Sequence, residues 1–359
     1  MKASVAHVMW DINGVFGGGE RAALSIARAT NDICRCECFS IGCEEVYVRD
    51  GVVIRPIRRR GGTFDNPVPS LRDLRSAVDS VDIIHVHQMN TLMLDIVLAI
   101  RKKTQGVVVT DYGGAGVSVN RLFHWFRGVD AFVAYSRTMR SACYGNSPKI
   151  VSIPLPFDSE WSRREMVQAD GHTGVRVLSV GRVLPHKGFE TVIKALPVGG
   201  ALRIVGRVVD LQYFTWLKSL DSDGVVEFLV DADDKTLHGS YEWADVLVMP
   251  SVSVDYRGRL HTKAELFGLV VLEAALFGLP LLVSSEVPAL REGFDAGALD
   301  GGVFPAGEVA ALRRLLEGCL SGVGSSVRNR MFVLERFAPD VVARAYSDLY
   351  AAVVGQRRK

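Results

Sequence analysis

Short runs of aliphatic and β-branched residues recur along the chain, separated by stretches long enough to hold a helix. In the first half they fall at residues 4–9, 34–41, 82–87, 106–110, 131–134 and 149–153, and each is read as a strand. Residues 19–28 predict a helix between the first two, because Ala22, Ala23, Ile26 and Ala27 share one face at helical spacing. The next stretch to break the rhythm is 157–174, where Ser159, Glu160, Arg163, Arg164, Glu165 and Gly171 follow no apolar period and predict a linker. A second series of strands then begins, at 175–180, 201–205, 225–229, 246–249 and 280–284, with helices at 189–196 and 309–320. At the end, Val341, Val342, Ala345, Tyr346, Leu349 and Ala352 recur as on one face of a closing helix over 340–354.

Strands alternating with helices predict parallel sheets, so the expected fold class is α/β, two tandem Rossmann-like domains facing a central cleft. The expected boundaries are 1–156 for the N-terminal domain, 157–173 for the linker and 174–339 for the C-terminal domain, with the helix at 340–359 packing back on the first domain. Open sheets of this kind bind ligands at the carboxyl ends of their strands.

Composition narrows the class. At 359 residues the chain exceeds what one core usually serves, and 48% hydrophobic with 23% charged residues is the balance of a soluble globular protein. A net charge of +2 gives no reason to expect nucleic acid as a partner. No run of 18 apolar residues occurs, and residues 1–10 are interrupted by His7, so they predict a core strand and not a signal peptide. Cys34, Cys36 and Cys38 alternate, which on a strand puts them on one face, and with Cys43 they lack the paired spacing of a zinc site. They are expected to be core thiols in a reducing, cytoplasmic setting.

Three clusters carry candidate chemistry. Glu265 and Glu273 stand eight positions apart around Gly268. On one continuous helix they would be about 80° apart, a poor match for one ligand. A helix starting near Gly268 instead leaves Glu265 in a loop and offers the amides of Gly268, Leu269 and Val270 to a phosphate. Glu273, one turn in, could accept hydrogen bonds from a ribose. Gly181, Arg182, Lys187 and Gly188 follow a strand, and a guanidinium fork beside an ammonium suits a diphosphate. Gly17, Gly18 and Gly19, before Glu20, follow the first strand and predict a ligand-facing loop whose spacing is not that of a dinucleotide fingerprint.

These residues, with His85 and His87 ending a strand, Ala244 and Asp245 before Pro250 and Ser251, and the glutamate pair, occur in the order found in glycosyltransferase family 4, which the chain resembles over about residues 4–350. The resemblance implies a GT-B fold, a nucleotide-diphosphate sugar held mainly by the C-terminal domain, and transfer with retention, without a metal or other cofactor. It further implies that Arg182 and Lys187 bind the diphosphate, that Glu273 binds the ribose and Glu265 the donor sugar, and that Gly17, Gly18, Gly181, Gly206, Gly268, Leu269 and Val270 line the donor site. No carboxylate stands out as a nucleophile, so a front-face mechanism follows, in which the departing phosphate helps deprotonate the acceptor. Where many relatives carry a histidine near the sugar, this chain has Asp111 and Tyr112, which with His87 mark the donor-sugar or acceptor vicinity.

The donor would be a UDP-sugar or a GDP-sugar, and the acceptor a glycan, a lipid-linked saccharide or a small molecule. Arg55, Arg58, Arg59 and Arg60 form an expected basic loop that could meet anionic headgroups, and the aromatic segment 121–127 has interfacial character, which leaves peripheral contact with the inner face of a membrane open. Rival functions on the same fold are a sugar-nucleotide epimerase and a non-catalytic nucleotide-binding protein. A nicotinamide oxidoreductase would need a glycine fingerprint that Gly17 to Glu20 do not supply.

Overall fold

The protein is described by a computed structural model that covers residues 2–10, 18–49, 51–62, 67–87, 92–110, 128–135, 149–167, 172–261, 265, 267–288, 290–319 and 326–358. The chain divides into two compact units, Met1–Asp158 with Arg336–Lys359, and Ser159–Glu335.

The first unit is built on strands β1 (Ser4–Met9), β2 (Arg35–Ile41), β3 (Tyr47–Arg49), β4 (Val52–Ile57), β5 (Arg59–Gly62), β6 (Pro67–Pro69), β7 (Ile83–His87), β8 (Gly106–Thr110), β9 (Ala131–Ala134) and β10 (Ile150–Ser152). Eight of them form one sheet in the order β10-β9-β8-β7-β1-β2-β4-β3, parallel except for β3, and β5 and β6 pair separately as an antiparallel ribbon. The central parallel strands β1, β7 and β8 are buried on both faces, as their largely apolar runs require. Helix Gly18–Asn31 lays Ala23, Leu24 and Ala27 against Met9, Cys38 and Ile54. The C-terminal helix Pro339–Arg357 belongs to this unit: Tyr346 and Tyr350 are fully buried, and Arg357 meets Asp130 at 2.8 Å.

The second unit carries β11 (Arg176–Val180), β12 (Ala201–Val205), β13 (Val226–Leu229), β14 (Val246–Met249), β15 (Leu281–Ser284) and β16 (Gly301–Phe304) in a parallel sheet ordered β13-β12-β11-β14-β15-β16. Its core gathers Val177, Val192, Leu202, Ile204, Val246, Val248 and Leu312. Strand order reverses at β11, with β12 on one side and β14 on the other, which makes the carboxyl ends of β11 and β14 this unit's switch point.

Two expectations are corrected. The basic loop is not a loop: Arg55 lies in β4, and Arg59 and Arg60 lie in β5. Val52, Ile54 and Ile57 point inward while Val53 and Arg55 point out, so the stretch alternates as a half-buried strand does, and Arg58 is held by Asp73 at 2.7 Å. The stretch after residue 157 is also more ordered than a polar linker, because Ser159–Ser162 is a short helix that buries Trp161 edge-on against Tyr241 and Phe277 of the second unit.

Candidate functional site

The second unit gathers most of the candidate residues at the carboxyl edge of its sheet. Gly181 and Arg182 follow β11, a short 3-10 turn Pro185–Lys187 comes next, and helix Phe189–Ala195 follows. Gly206 follows β12, and a Cβ placed on it would lie 2.0 Å from the carbonyl oxygen of Gly181, so only glycine lets these two strand ends close on each other. Helix Leu269–Leu276 begins beside the end of β14. Its N-cap is Gly268, left-handed at φ 89°, where an added Cβ would sit 3.0 Å from Met249 Sδ. Gly268 carries no side chain to cap the first turn, so the amides of Leu269 and Val270 point out of the helix with no intrahelical acceptor.

Glu265 precedes this helix and Glu273 lies inside it. Lys187 Nζ donates to Glu265 Oε2 at 2.6 Å, with the two side chains 15% and 11% exposed. Arg182 is exposed and has no hydrogen-bond or ion-pair partner among the described residues. Glu273 accepts from Tyr241 Oη at 2.8 Å, a hydroxyl delivered from the buried face of helix Asp234–Trp243. The edge therefore offers a fixed ammonium–carboxylate pair, a guanidinium open to solvent, outward amides and a second carboxylate oriented by a tyrosine. That set can neutralise a diphosphate and accept hydrogen bonds from hydroxyl groups.

His186 lies at the centre of this group. Its pKa is lowered to about 4, first by burial and then by its neighbours Lys187, His261 and Arg182, with Glu265 opposing. The electrostatic coupling draws in His261, whose ring centroid is 5.0 Å from that of His186 and whose Nε2 donates to Asp255 Oδ2 at 2.7 Å. Neither Asp255 nor His261 stands out in the sequence, since their pairing depends on a turn through residues 253–261 that no local periodicity announces.

In the first unit, Gly18 opens helix Gly18–Asn31. Gly17, Asp111 and Tyr112 lie outside the described residues, as do the segment 121–127 and the loop before Gly18. His87 is 2% exposed, and its ring is one of three that meet on one face of the sheet. His7 and His85 are register partners on β1 and β7, and His87 is two residues further along β7. Thr30 gives its hydroxyl hydrogen to Ile26 O at 2.9 Å, so it accepts from His7 Nε2 at 3.1 Å, which leaves His7 Nδ1 to accept from His87 Nε2 at 2.9 Å. His85 bridges Thr110 and Tyr350, each at 2.7 Å. Candidate ligand atoms of the three rings lie within 4.8 Å of one another, close enough for a cation. Burial lowers the His7 pKa to about 3, and burial together with the neighbouring rings holds His85 and His87 well below the usual value. The rings are thus neutral and spend their nitrogens on one another and on hydroxyls. This is a hydrogen-bonded core cluster that also ties the C-terminal helix to the sheet.

Residues 165–331 match the family described as glycosyl transferases group 1. The match covers the whole candidate edge of the second unit. Over 148 residues, 37% of this chain, the protein is 32% identical to an uncharacterized glycosyltransferase of Methanocaldococcus jannaschii, and the match spans 34% of that relative's length. Among solved structures, Anabaena HepE in complex with UDP and glucose is 14% identical with a TM-score of 0.70, covering 98% of this chain and 100% of that one. Sucrose-phosphate synthase of Thermosynechococcus elongatus is 17% identical with a TM-score of 0.73, covering 99% and 100%. The catalytic domain of Arabidopsis thaliana starch synthase IV, bound to ADP and acarbose, is 14% identical with a TM-score of 0.71, covering 99% and 100%. The chain has the α/β fold of these GT-B glycosyltransferases along its whole length.

Proposed function

We propose that the protein is a glycosyltransferase that moves a sugar from a nucleotide-diphosphate sugar to a hydroxyl of a glycan, a lipid-linked saccharide or a small-molecule acceptor. The observation that carries this is the juxtaposition at one sheet edge of Lys187, Glu265, Arg182 and the uncapped helix start at Gly268, within the stretch that matches glycosyl transferases group 1. The diphosphate is taken by Arg182, Lys187 and the amides of Leu269 and Val270, with Gly181, Gly206 and Gly268 keeping the surface free of side chains. Glu273, oriented by Tyr241, receives the ribose hydroxyls, and Glu265 receives hydroxyls of the sugar.

As the bond between sugar and phosphate breaks, negative charge grows on the leaving oxygen, and fixed positive groups lower that barrier by more than they lower the ground state. Lys187 and the helix start supply this without a metal. We favour a front-face transfer with retention, in which the departing phosphate oxygen takes the acceptor proton. UDP in the Anabaena HepE structure favours a UDP-sugar donor, and ADP in the starch synthase structure keeps other bases in the test. The acceptor falls to the first unit in this account, whose His87 is a buried member of the core cluster and not a ligand contact, and contact with a membrane surface is left to the acceptor's own chemistry. No helix of the described residues is long and apolar enough to cross a membrane.

The test is to incubate the protein with UDP-, GDP-, ADP- and dTDP-sugars, with and without a panel of sugar acceptors, and to follow release of the nucleoside diphosphate and the anomeric proton of the product by NMR. Release of one diphosphate with an axial-to-axial or equatorial-to-equatorial outcome is expected. Interconversion of the donor's sugar without transfer would instead establish the epimerase alternative.

A further inference from the structure

Residues 253–261 fold into a hairpin closed by a bridge between Val254 and Leu260 and by the bond from His261 N to Ser253 O at 2.7 Å. Asp255 organises it from within. Its Oδ1 accepts the amides of Arg257 at 2.9 Å and Arg259 at 3.0 Å, and its Oδ2 accepts His261 Nε2 at 2.7 Å. The Asp255 side chain is 2% exposed, whereas that of His261 is 21% exposed. Burial works to raise the Asp255 pKa, but the hydrogen bonds from His261 and the two amides outweigh it, and the carboxyl stays below its usual value. An ionised carboxylate only accepts, so in the neutral imidazole the proton lies on Nε2, and the lone pair is on Nδ1, the nitrogen that does not bond to Asp255.

The hairpin is itself anchored. Arg257 reaches Asp210, the N-cap of helix Leu211–Leu220, at 3.0 Å, and Tyr256 stacks on Trp216 with ring centroids 4.0 Å apart and planes 11° from parallel. A histidine that is aligned by a buried carboxylate on an anchored hairpin loses little further freedom on meeting a ligand. Among the described residues nothing bonds to Nδ1 of His261, and the ring stands next to His186, on which Lys187, Arg182 and Glu265 all act.

We propose that Nδ1 of His261, set by the positioning residue Asp255, accepts a hydrogen bond from a hydroxyl of the donor's sugar and so helps select which sugar is transferred. The proposal rests on the diphosphate-sugar function above and adds to Glu265 a second contact for the sugar. The ligand chemistry follows from the proton inventory. A bare imidazole nitrogen attracts a hydroxyl hydrogen and repels a phosphate oxygen, while the cations and amides that suit phosphate lie on Arg182, Lys187 and the helix start.

Two variants test it, with calorimetric titration of each nucleotide sugar and of its nucleoside diphosphate: UDP-glucose and UDP, GDP-mannose and GDP, ADP-glucose and ADP, dTDP-glucose and dTDP. His261→Gln presents an amide where Nε2 was, keeps the bond to Asp255, and removes the outward lone pair. For the pair that binds the wild type, affinity for the nucleotide sugar is expected to fall about 3- to 10-fold, the size of one hydrogen bond, with affinity for the nucleoside diphosphate unchanged. Asp255→Asn keeps an oxygen for the two amides but turns an NH₂ toward Nε2, which moves the imidazole proton to Nδ1. The expected signature is a switch of the His261 tautomer in ¹⁵N NMR together with the same selective loss of sugar affinity, which a merely structural role would not produce. Equal losses for sugar nucleotide and diphosphate, no loss in His261→Gln, or a switched tautomer with sugar affinity intact would overturn the proposal. If the wild type bound none of the eight compounds, the diphosphate-sugar function itself would fall, and this proposal with it.

Discussion

Histidines and hydroxyl or carboxylate partners collect in both units, yet they are disposed of in opposite ways. In the first unit His7, His85 and His87 lie in the middle of the sheet's buried face, with exposures of 0%, 0% and 2%, and are bonded to one another, to Thr30 and Thr110, and to Tyr350. In the second unit His186, His261, Lys187, Arg182 and Glu265 stand where strands end, and hydrogen-bonding capacity remains open on Arg182, on His261 Nδ1 and on the amides at Gly268. A polar group deep in a core must be satisfied by the fold, because an unmatched one costs about 1–3 kcal/mol. At a sheet edge water can satisfy it until a ligand does. The same residue type is therefore satisfied by the fold in one unit and left open to a ligand in the other, and position relative to the strand ends decides which.

The contrast can be broken most forcefully with pH. A folded-state pKa below the unfolded value means that the unfolded chain binds more protons, so stability is fully present above about 6.5 and is lost as pH falls. Each ring that stays neutral in the fold costs about 1.4 kcal/mol per pH unit below that point. The first unit holds three such rings, and the second has His186 and His238 lowered. Pulse proteolysis at pH 7.5 and 5.0, with cleavage sites mapped, is expected to show the first unit opening ahead of the second in acid. Earlier opening of the second unit would reverse the assignment.

Lys187→Ala comes next in size. Losing the fixed cation at the leaving group is expected to lower kcat/KM for transfer by about 10²- to 10³-fold, measured as diphosphate release at saturating acceptor. A change of less than about tenfold would move the leaving-group role elsewhere. Two further substitutions make the same chemical change in the two units. Tyr350→Phe strips the partner from His85 Nδ1 and should cost about 1–3 kcal/mol in urea melts without altering nucleotide affinity. Tyr241→Phe removes the hydroxyl that orients Glu273 and should weaken nucleoside diphosphate binding by a few-fold, roughly the worth of one hydrogen bond, and a 2′-deoxyribose analogue should feel the change less. If the two variants traded these effects, the division between structural and chemical clusters would not hold.

How much of this was legible in advance follows the same line. Strands buried on both faces announce themselves, and β1, β8, β9, β12 and β14 have the boundaries their apolar runs predict. Strands β3 to β5 were missed because Val48, Val53, Arg55, Arg59 and Arg60 face solvent, and a short half-exposed strand with arginines resembles a basic loop. The spacing of Glu265 and Glu273 about Gly268 led to a helix start that the structure has at Leu269, because backbone geometry at a glycine is local. The partners are not local. The Lys187–Glu265 and Tyr241–Glu273 bonds join residues 78 and 32 positions apart, and the Asp255–His261 pair, though only six apart, depends on a turn that no periodicity announces.

The central claim is that the carboxyl edge of the second sheet binds a nucleotide-diphosphate sugar through Lys187 and its neighbours. The most direct measurement is thermal stabilisation of the wild type and of Lys187→Ala by UDP-, GDP-, ADP- and dTDP-sugars, with NAD as a control, since a ligand that binds only the folded state raises the melting temperature. The account predicts that at least one sugar nucleotide stabilises the wild type, that NAD does not, and that Lys187→Ala loses most of the shift. Stabilisation by NAD alone, or a sugar-nucleotide shift of equal size in Lys187→Ala, would contradict it.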